Sequence, residues 1–202
     1  QLDAIRCWME GYKAVIAPQG TAFKESQAKL ISQANPRSVI CLLDGDEAGQ
    51  KAALNYISIF MKAGLEVKFA TLPSGMDPDL LLREKGMVGL NSYLESSVGA
   101  IEFLINSKLN GNTDPSPTQL SKVCNFAFEI IYHVESLLER EVYLAQISAF
   151  LNLSPKLIKS EFSSFTEGKR VRSSWKPNLA DSIEITNDAR RLTTVEEDIL
   201  YL

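Results

Sequence analysis

Residues 39–53 read VICLLDGDEAGQKAA. Four apolar residues and a cysteine run without alternation into Asp44-Gly45-Asp46, and small residues at helical spacing follow. A short continuous apolar run bounded by turn residues fits a strand buried on both faces, the kind a parallel sheet holds. Its end raises the question of function. Two carboxylates so close repel each other, and each resists losing water. One intervening residue puts both side chains on the same side of an extended backbone. A chain that keeps them there either binds a cation or uses one as a nucleophile. Gly45 permits a tight turn, and Gly49 lets the next helix approach the sheet closely.

Working outward, the first 86 residues alternate between two periods. LDAIRCWMEG (2–11) is helical and stops at Gly11, and YKAVIA (12–17) is a short strand. ESQAKLISQA returns to helix before the quoted strand, and EAGQKAALNYISIFMKAG is a long helix stopped by Gly64. LEVKFATL is a further strand, and DPDLLLREKG a helix with Pro78 in its first turn, where a missing N–H costs nothing. This alternation predicts βαβ units, a parallel sheet, and functional residues at the carboxyl ends of the strands. From residue 87 the strand signal disappears, and helices are expected through 168, one of them starting at Ser154-Pro155. Residues 169–192 read as a linker. TTVEEDILYL (193–202) begins one more amphipathic helix, the start of a further domain.

The bulk properties restrict the function classes. The chain has 202 residues, 45% of them hydrophobic, and a net charge of −4, which argues against nucleic-acid binding through general electrostatics alone. Its three cysteines, Cys7, Cys41 and Cys124, are scattered, no CxxC exists, and His133 is the one histidine. No zinc site of Cys/His type is expected. Unpaired thiols suit a reducing cytoplasm and core positions. No apolar run approaches membrane-spanning length.

A second acidic pair, Asp77 and Asp79, flanks Pro78 after the next strand. In a parallel sheet with sequential strands both loops open on one edge, so four carboxylates converge there. Oxygen ligands of this kind suit Mg²⁺ or Mn²⁺. Each aspartate also has an ordinary reading as a turn residue or helix cap. A rival is the haloacid dehalogenase-like phosphatase, whose strand ends in Asp-x-Asp with a nucleophilic first aspartate. That family carries Thr two residues after the second aspartate, where this chain has Ala48. Trp8, Phe126 and Phe128 are expected in cores. Lys13, Lys24 and Arg83 are candidates to face a phosphate. Lys169, Arg170, Arg172, Trp175 and Lys176 read as a solvated basic linker before they read as a single-strand contact.

DGDEAGQKAA followed by LPSGMDPDLLLREKG closely resembles the Toprim catalytic core of bacterial DNA primase, the DnaG type. APQGTAF (17–23) is similar to the family's Gly-Thr-Ala stretch, here Gly20-Thr21-Ala22. SLLEREVYLAQISAFLNLSPKLIKSEF resembles its helical subdomain, with Arg140-x-x-Tyr143 ahead of a helix pair. The resemblance covers residues 1–165. It implies a Toprim-type α/β core over 1–86 and an all-helical subdomain over 87–168, followed by the linker and the start of a helicase-interaction domain. It implies RNA primer synthesis on single-stranded DNA by metal-dependent nucleotidyl transfer. Asp44, Asp46, Asp77 and Asp79 would hold Mg²⁺ or Mn²⁺ with Asp3 nearby, and Gly20, Thr21, Gly45 and Gly49 would form structural or phosphate loops. Implied partners are the template strand, nucleoside triphosphates and the replicative helicase, in the cytoplasm.

The family's acid/base glutamate stands in a Glu-Gly-x-x-Asp motif. The alignment puts Asp3 at its closing aspartate and the Glu-Gly just upstream of Gln1, on a first strand absent from this sequence. Glu10-Gly11 mimics the motif but lies too near Asp44. The sequence is therefore expected to be a piece of a primase, inactive alone, with a sheet one strand short and apolar surface exposed beside the gap. Two other readings stay open: a non-catalytic module tethering a helicase, and another Toprim protein such as a nuclease or topoisomerase.

Overall fold

The computed structural model describes residues 2–18, 23–43, 47–73, 75–173 and 199–201. The alternating first part folds as the sequence implies. Helix α1 (Leu2–Met9) leads to β1 (Val15–Ile16), α2 (Glu25–Gln33) to β2 (Val39–Leu43), and α3 (Glu47–Lys62) to β3 (Val67–Thr71). Helix α4 (Pro78–Glu95) is broken at Gly86, whose φ of 62° and ψ of −164° interrupt the helical backbone. The sequence places the end of a helix at this glycine.

β2 and β3 pair in parallel register from Val39↔Val67 to Leu43↔Thr71. Alternate residues then serve opposite faces. Val39, Cys41, Leu43, Val67 and Phe69 face a large core with α2 and α3. Leu42 and Ala70 face a smaller one with Cys7 of α1 and Leu81, Leu82 and Leu90 of α4. The unalternating apolar run of β2 is the mark of this coverage from both sides.

Helices α5 (Ala100–Leu109), α6 (Pro117–Ile131), α7 (Leu137–Phe150) and α8 (Pro155–Ser173) follow. Their Ile101, Leu104, Phe128, Ile131, Ile147 and Ile158 join the core that holds β2 and β3. Phe103 stacks on Phe69 with centroids 4.4 Å apart, so the helical part is bolted to the sheet. Arg140, in the Arg-x-x-Tyr step, donates to the carbonyls of Val134 and, at 3.4 Å, Tyr132. It thereby serves carbonyls that the end of α6 leaves without helical partners.

Four expectations need correction. Residues 87–168 are not all helical: Val98–Gly99 form β4, antiparallel to β3. Two residues are too few to show a period. Helix α8 runs to Ser173, into the stretch expected to be linker, and Lys169 there pairs with Glu129 of α6. Trp8 is 52% exposed, with the Lys13 ammonium 3.6 Å above its ring, rather than packed in a core. Finally, Ile199–Tyr201 form a strand, β5, where a helix was expected. The sheet order is β1-β5-β2-β3-β4, so the anticipated gap is filled and Val39 and Cys41 beside it are fully buried. Trp175 and Lys176 lie outside the described residues.

Candidate functional site

The register of β2 and β3 brings Leu43 beside Thr71, and the Leu72 N–H donates to the Leu43 carbonyl at 2.9 Å. Both strands therefore deliver their following loops to the same sheet edge. Asp44, Gly45 and Asp46 follow Leu43 directly and lie outside the described residues, as do Gly20 and Thr21. Gly49 sits half-buried in the first turn of α3.

The second acidic pair is described in full. Asp77 is the N-cap of α4, its Oδ1 accepting from the Leu80 N–H at 2.7 Å, with Pro78 at the first helical position. One carboxylate oxygen satisfies an orphan donor of the helix start, and the charge suits the positive end of the helix dipole. Asp79, in the first turn of α4, faces two guanidiniums. Arg83 Nη2 lies 2.7 Å from Oδ2, and Arg6 Nε of α1 lies 3.5 Å from Oδ1.

Arg6 was missed in the sequence, where it is one polar position of an amphipathic helix. It joins α1 to α4, and at 3.8 Å it also meets Glu10, the residue that mimics the family motif. Asp3 is in the first turn of the same helix, partly buried, one turn before Arg6 and Cys7. Burial, with the Asp3 charge second, pushes the Cys7 thiol up to about 11. Cys41 is pushed higher by burial alone. All three thiols are free and buried, the core role the sequence suggested.

Of the phosphate candidates, Lys13 is spent on the Trp8 ring and the Trp8 carbonyl, 3.0 Å away, and Arg83 on Asp79. The Lys24 backbone N–H donates to Gln27 Oε1 at the start of α2. His133 is exposed beside Tyr132. Among the described residues, no three Asp, Glu, His or Cys side chains are grouped to hold a metal, so Asp3, Asp77 and Asp79 do not make a site by themselves. No helix of the described residues is long and apolar enough to cross a membrane.

Comparison with known proteins points the same way. Residues 1–82 match the model of a Toprim-like family. The chain is 34% identical over 167 residues to a DNA primase of Aquifex aeolicus, covering 79% of this chain and 33% of that protein. It is 31% identical over 160 residues to the DNA primase of Chlamydia pneumoniae, covering 79% and 27%. Among solved structures it resembles the Aquifex aeolicus primase zinc-binding and RNA polymerase domains, with a TM-score of 0.63 and 28% identity over 78% of this chain and 37% of that one. It also resembles the Escherichia coli primase catalytic core, with a TM-score of 0.66 and 26% identity over 76% and 50%. A DnaG primase catalytic domain bound to single-stranded DNA matches at a TM-score of 0.64 and 25% identity, over 73% and 48%. The chain spans about a third or less of the length of the curated relatives it matches. With the carboxyl ends of β2 and β3 side by side in a Toprim-type sheet and a helical region bolted to it, the chain is similar over 79% of its length to the bacterial DNA primases of the DnaG type.

Proposed function

We propose that this chain is the metal-holding part of a primase catalytic core, acting in RNA primer synthesis on a single-stranded DNA template. The observation that carries the reading is the register of β2 and β3, whose carboxyl ends, Leu43 and Thr71, lie side by side. The donor chemistry fits a hard divalent cation, Mg²⁺ or Mn²⁺, since the candidate ligands are all aspartate oxygens. Asp44 and Asp46 would be the principal ligands. Asp77 would offer the oxygen not used by the Leu80 N–H, and Asp79 and Asp3 would complete the cluster.

A bound ion supplies charge neutralisation on triphosphate oxygens during attack by a primer 3′-hydroxyl. The chain's own residues do the rest. Asp77 fixes the start of α4, so the loop after β3 has a defined end. Arg83 and Arg6 hold Asp79 and, as guanidiniums, suit phosphate oxygens when a nucleotide is present. Gly20 and Thr21, with Gly45 and Gly49, would be the residues of structural or phosphate loops. The acid/base glutamate belongs to the strand that precedes Gln1 in the family. The template strand, nucleoside triphosphates and a replicative helicase would be the partners of the whole protein.

Calorimetric titration with Mn²⁺ tests the reading. The chain should bind Mn²⁺, and Asp44→Ala should weaken binding at least about tenfold, the scale on which losing a ligand group acts. Equal affinity in the two proteins contradicts the proposal.

A further inference from the structure

Both carboxylate oxygens of Asp79 are engaged. Oδ2 lies 2.7 Å from Arg83 Nη2, and Oδ1 lies 3.5 Å from Arg6 Nε. A cation that takes Asp79 as a ligand must displace one guanidinium and accept the other as a neighbour. The two arginines are not equally able to leave. Arg83 is 65% accessible, so water can replace the carboxylate around it. Arg6 reaches across from α1, and its Nε is sealed from solvent and completes no hydrogen bond. Away from the carboxylates that flank it, that N–H would gain no water in exchange. The helix behind Arg6 is anchored as well, since Cys7, the next residue, is wholly buried in one core with Leu81, Leu82 and Leu90 of α4. Arg83 is therefore the group that gives way, and Arg6 stays as a fixed positive charge against Oδ1.

A fixed guanidinium beside a ligand oxygen repels the cation that the oxygen would bind. Glu10 counters it. Glu10 Oε1 lies 3.8 Å from the same Arg6 Nε, and the Glu10 N–H donates to the Arg6 carbonyl at 3.1 Å, which holds Glu10 one turn further along. We propose that Glu10 is the counter-ion of Arg6, and that this pair sets the affinity of Asp79 for a divalent cation. Glu10 is then a positioning residue that acts through Arg6 and not a ligand. This gives a role to the one acid whose surroundings mimic the Glu-Gly motif. The inference rests on the reading of Asp79 as part of a Mg²⁺ or Mn²⁺ site. The Arg6 and Glu10 side chains are 33% and 40% accessible, so their coupling is partly screened and its effect is a few-fold rather than decades.

Calorimetric titration of Mn²⁺ into the unmodified protein, Glu10→Gln, Arg6→Met and the double variant tests this. Glu10→Gln keeps the side-chain shape, and Arg6→Met keeps an apolar stem while removing the charge. Glu10→Gln should weaken Mn²⁺ binding roughly twofold to fivefold, and Arg6→Met should strengthen it by a similar factor. The double variant should match Arg6→Met, because Glu10 has nothing left to act through. The effect of Glu10→Gln should also shrink in roughly 0.5 M KCl, a response that a merely structural role would not give. Arg6→Gln serves in both single and double form if Arg6→Met does not fold. Equal weakening by Glu10→Gln with and without the Arg6 charge overturns the proposal, since Glu10 would then act on the cation directly. Unchanged affinity in Glu10→Gln overturns it too. Asp44→Ala separates the two readings: if it weakens Mn²⁺ binding and Glu10→Gln does not, the metal site stands and this inference falls. If the unmodified protein binds no Mn²⁺, both fall.

Discussion

At Asp79 a single carboxylate faces two guanidiniums, and the geometry separates its roles. The Arg83 pair is an exposed i,i+4 contact, with Arg83 65% accessible, so its loss should cost no more than about 0.5 kcal/mol. Arg83→Ala also removes a competitor for the carboxylate. Mn²⁺ affinity should therefore rise, by roughly twofold to fivefold on the scale of one screened charge, in a calorimetric titration. Asp77 has two jobs that substitution can separate. Asp77→Ala should lower stability by about 1 kcal/mol, the worth of an N-cap, in denaturant unfolding. Asp77→Asn keeps an oxygen for the Leu80 N–H and should be near wild type in stability yet weaker for Mn²⁺. If both substitutions destabilise equally, the cap bond is not what holds the start of α4.

Cys7 gives the residue scale a pH signature. Its thiol titrates at about 11 when folded and at 9.0 when unperturbed, so above pH 9 the unfolded chain loses protons that the folded chain keeps. Stability from this group is complete below pH 9 and falls as pH rises toward 11. Unfolding free energies measured across that range should decline less steeply in Cys7→Ala than in the unmodified protein, once each is referred to its value at pH 8.

At the scale of elements, Gly86 divides α4. Its φ of 62° with ψ of −164° lies in a region that only glycine occupies comfortably. No heavy atom stands within 4 Å of an added Cβ, so the cost of Gly86→Ala is backbone strain alone. We expect a loss of about 1–3 kcal/mol in urea unfolding, and a neutral result would mean the two halves of α4 can join as one helix. The break was legible because Lys85-Gly86 closes an amphipathic stretch. So were β2, a continuous apolar run, and β3, whose Val67, Phe69 and Ala70 are buried, each five residues long. The strands β4 and β5 were not, because two and three residues carry no period and their pairing is set by distant partners. In the candidate site, the acidic pair Asp77 and Asp79 was legible around Pro78, and the structure puts Asp77 at the N-cap of α4. The Arg6–Asp79 contact was not, since it depends on α1 crossing α4, and crossing is a property of packing rather than of either helix.

For the whole molecule, the central claim is that a parallel sheet gathers separate acidic loops into one divalent-cation site. The sheet and the helical region share one core, with Phe69 and Phe103 stacked across the junction, so the carboxyl edge is rigidly backed. A rigid backing lets like charges stay together without spreading when no cation screens them. Paramagnetic broadening by substoichiometric Mn²⁺ in amide spectra tests the claim most directly, because the effect falls steeply with distance from the ion. The account predicts that amides at Leu43, Thr71, Met76, Asp77, Asp79 and Asp3 broaden together, and that Asp44→Ala abolishes the effect at all of them. Broadening confined to the Asp77 loop, or spread evenly over surface carboxylates such as Glu135 and Glu141, would contradict it.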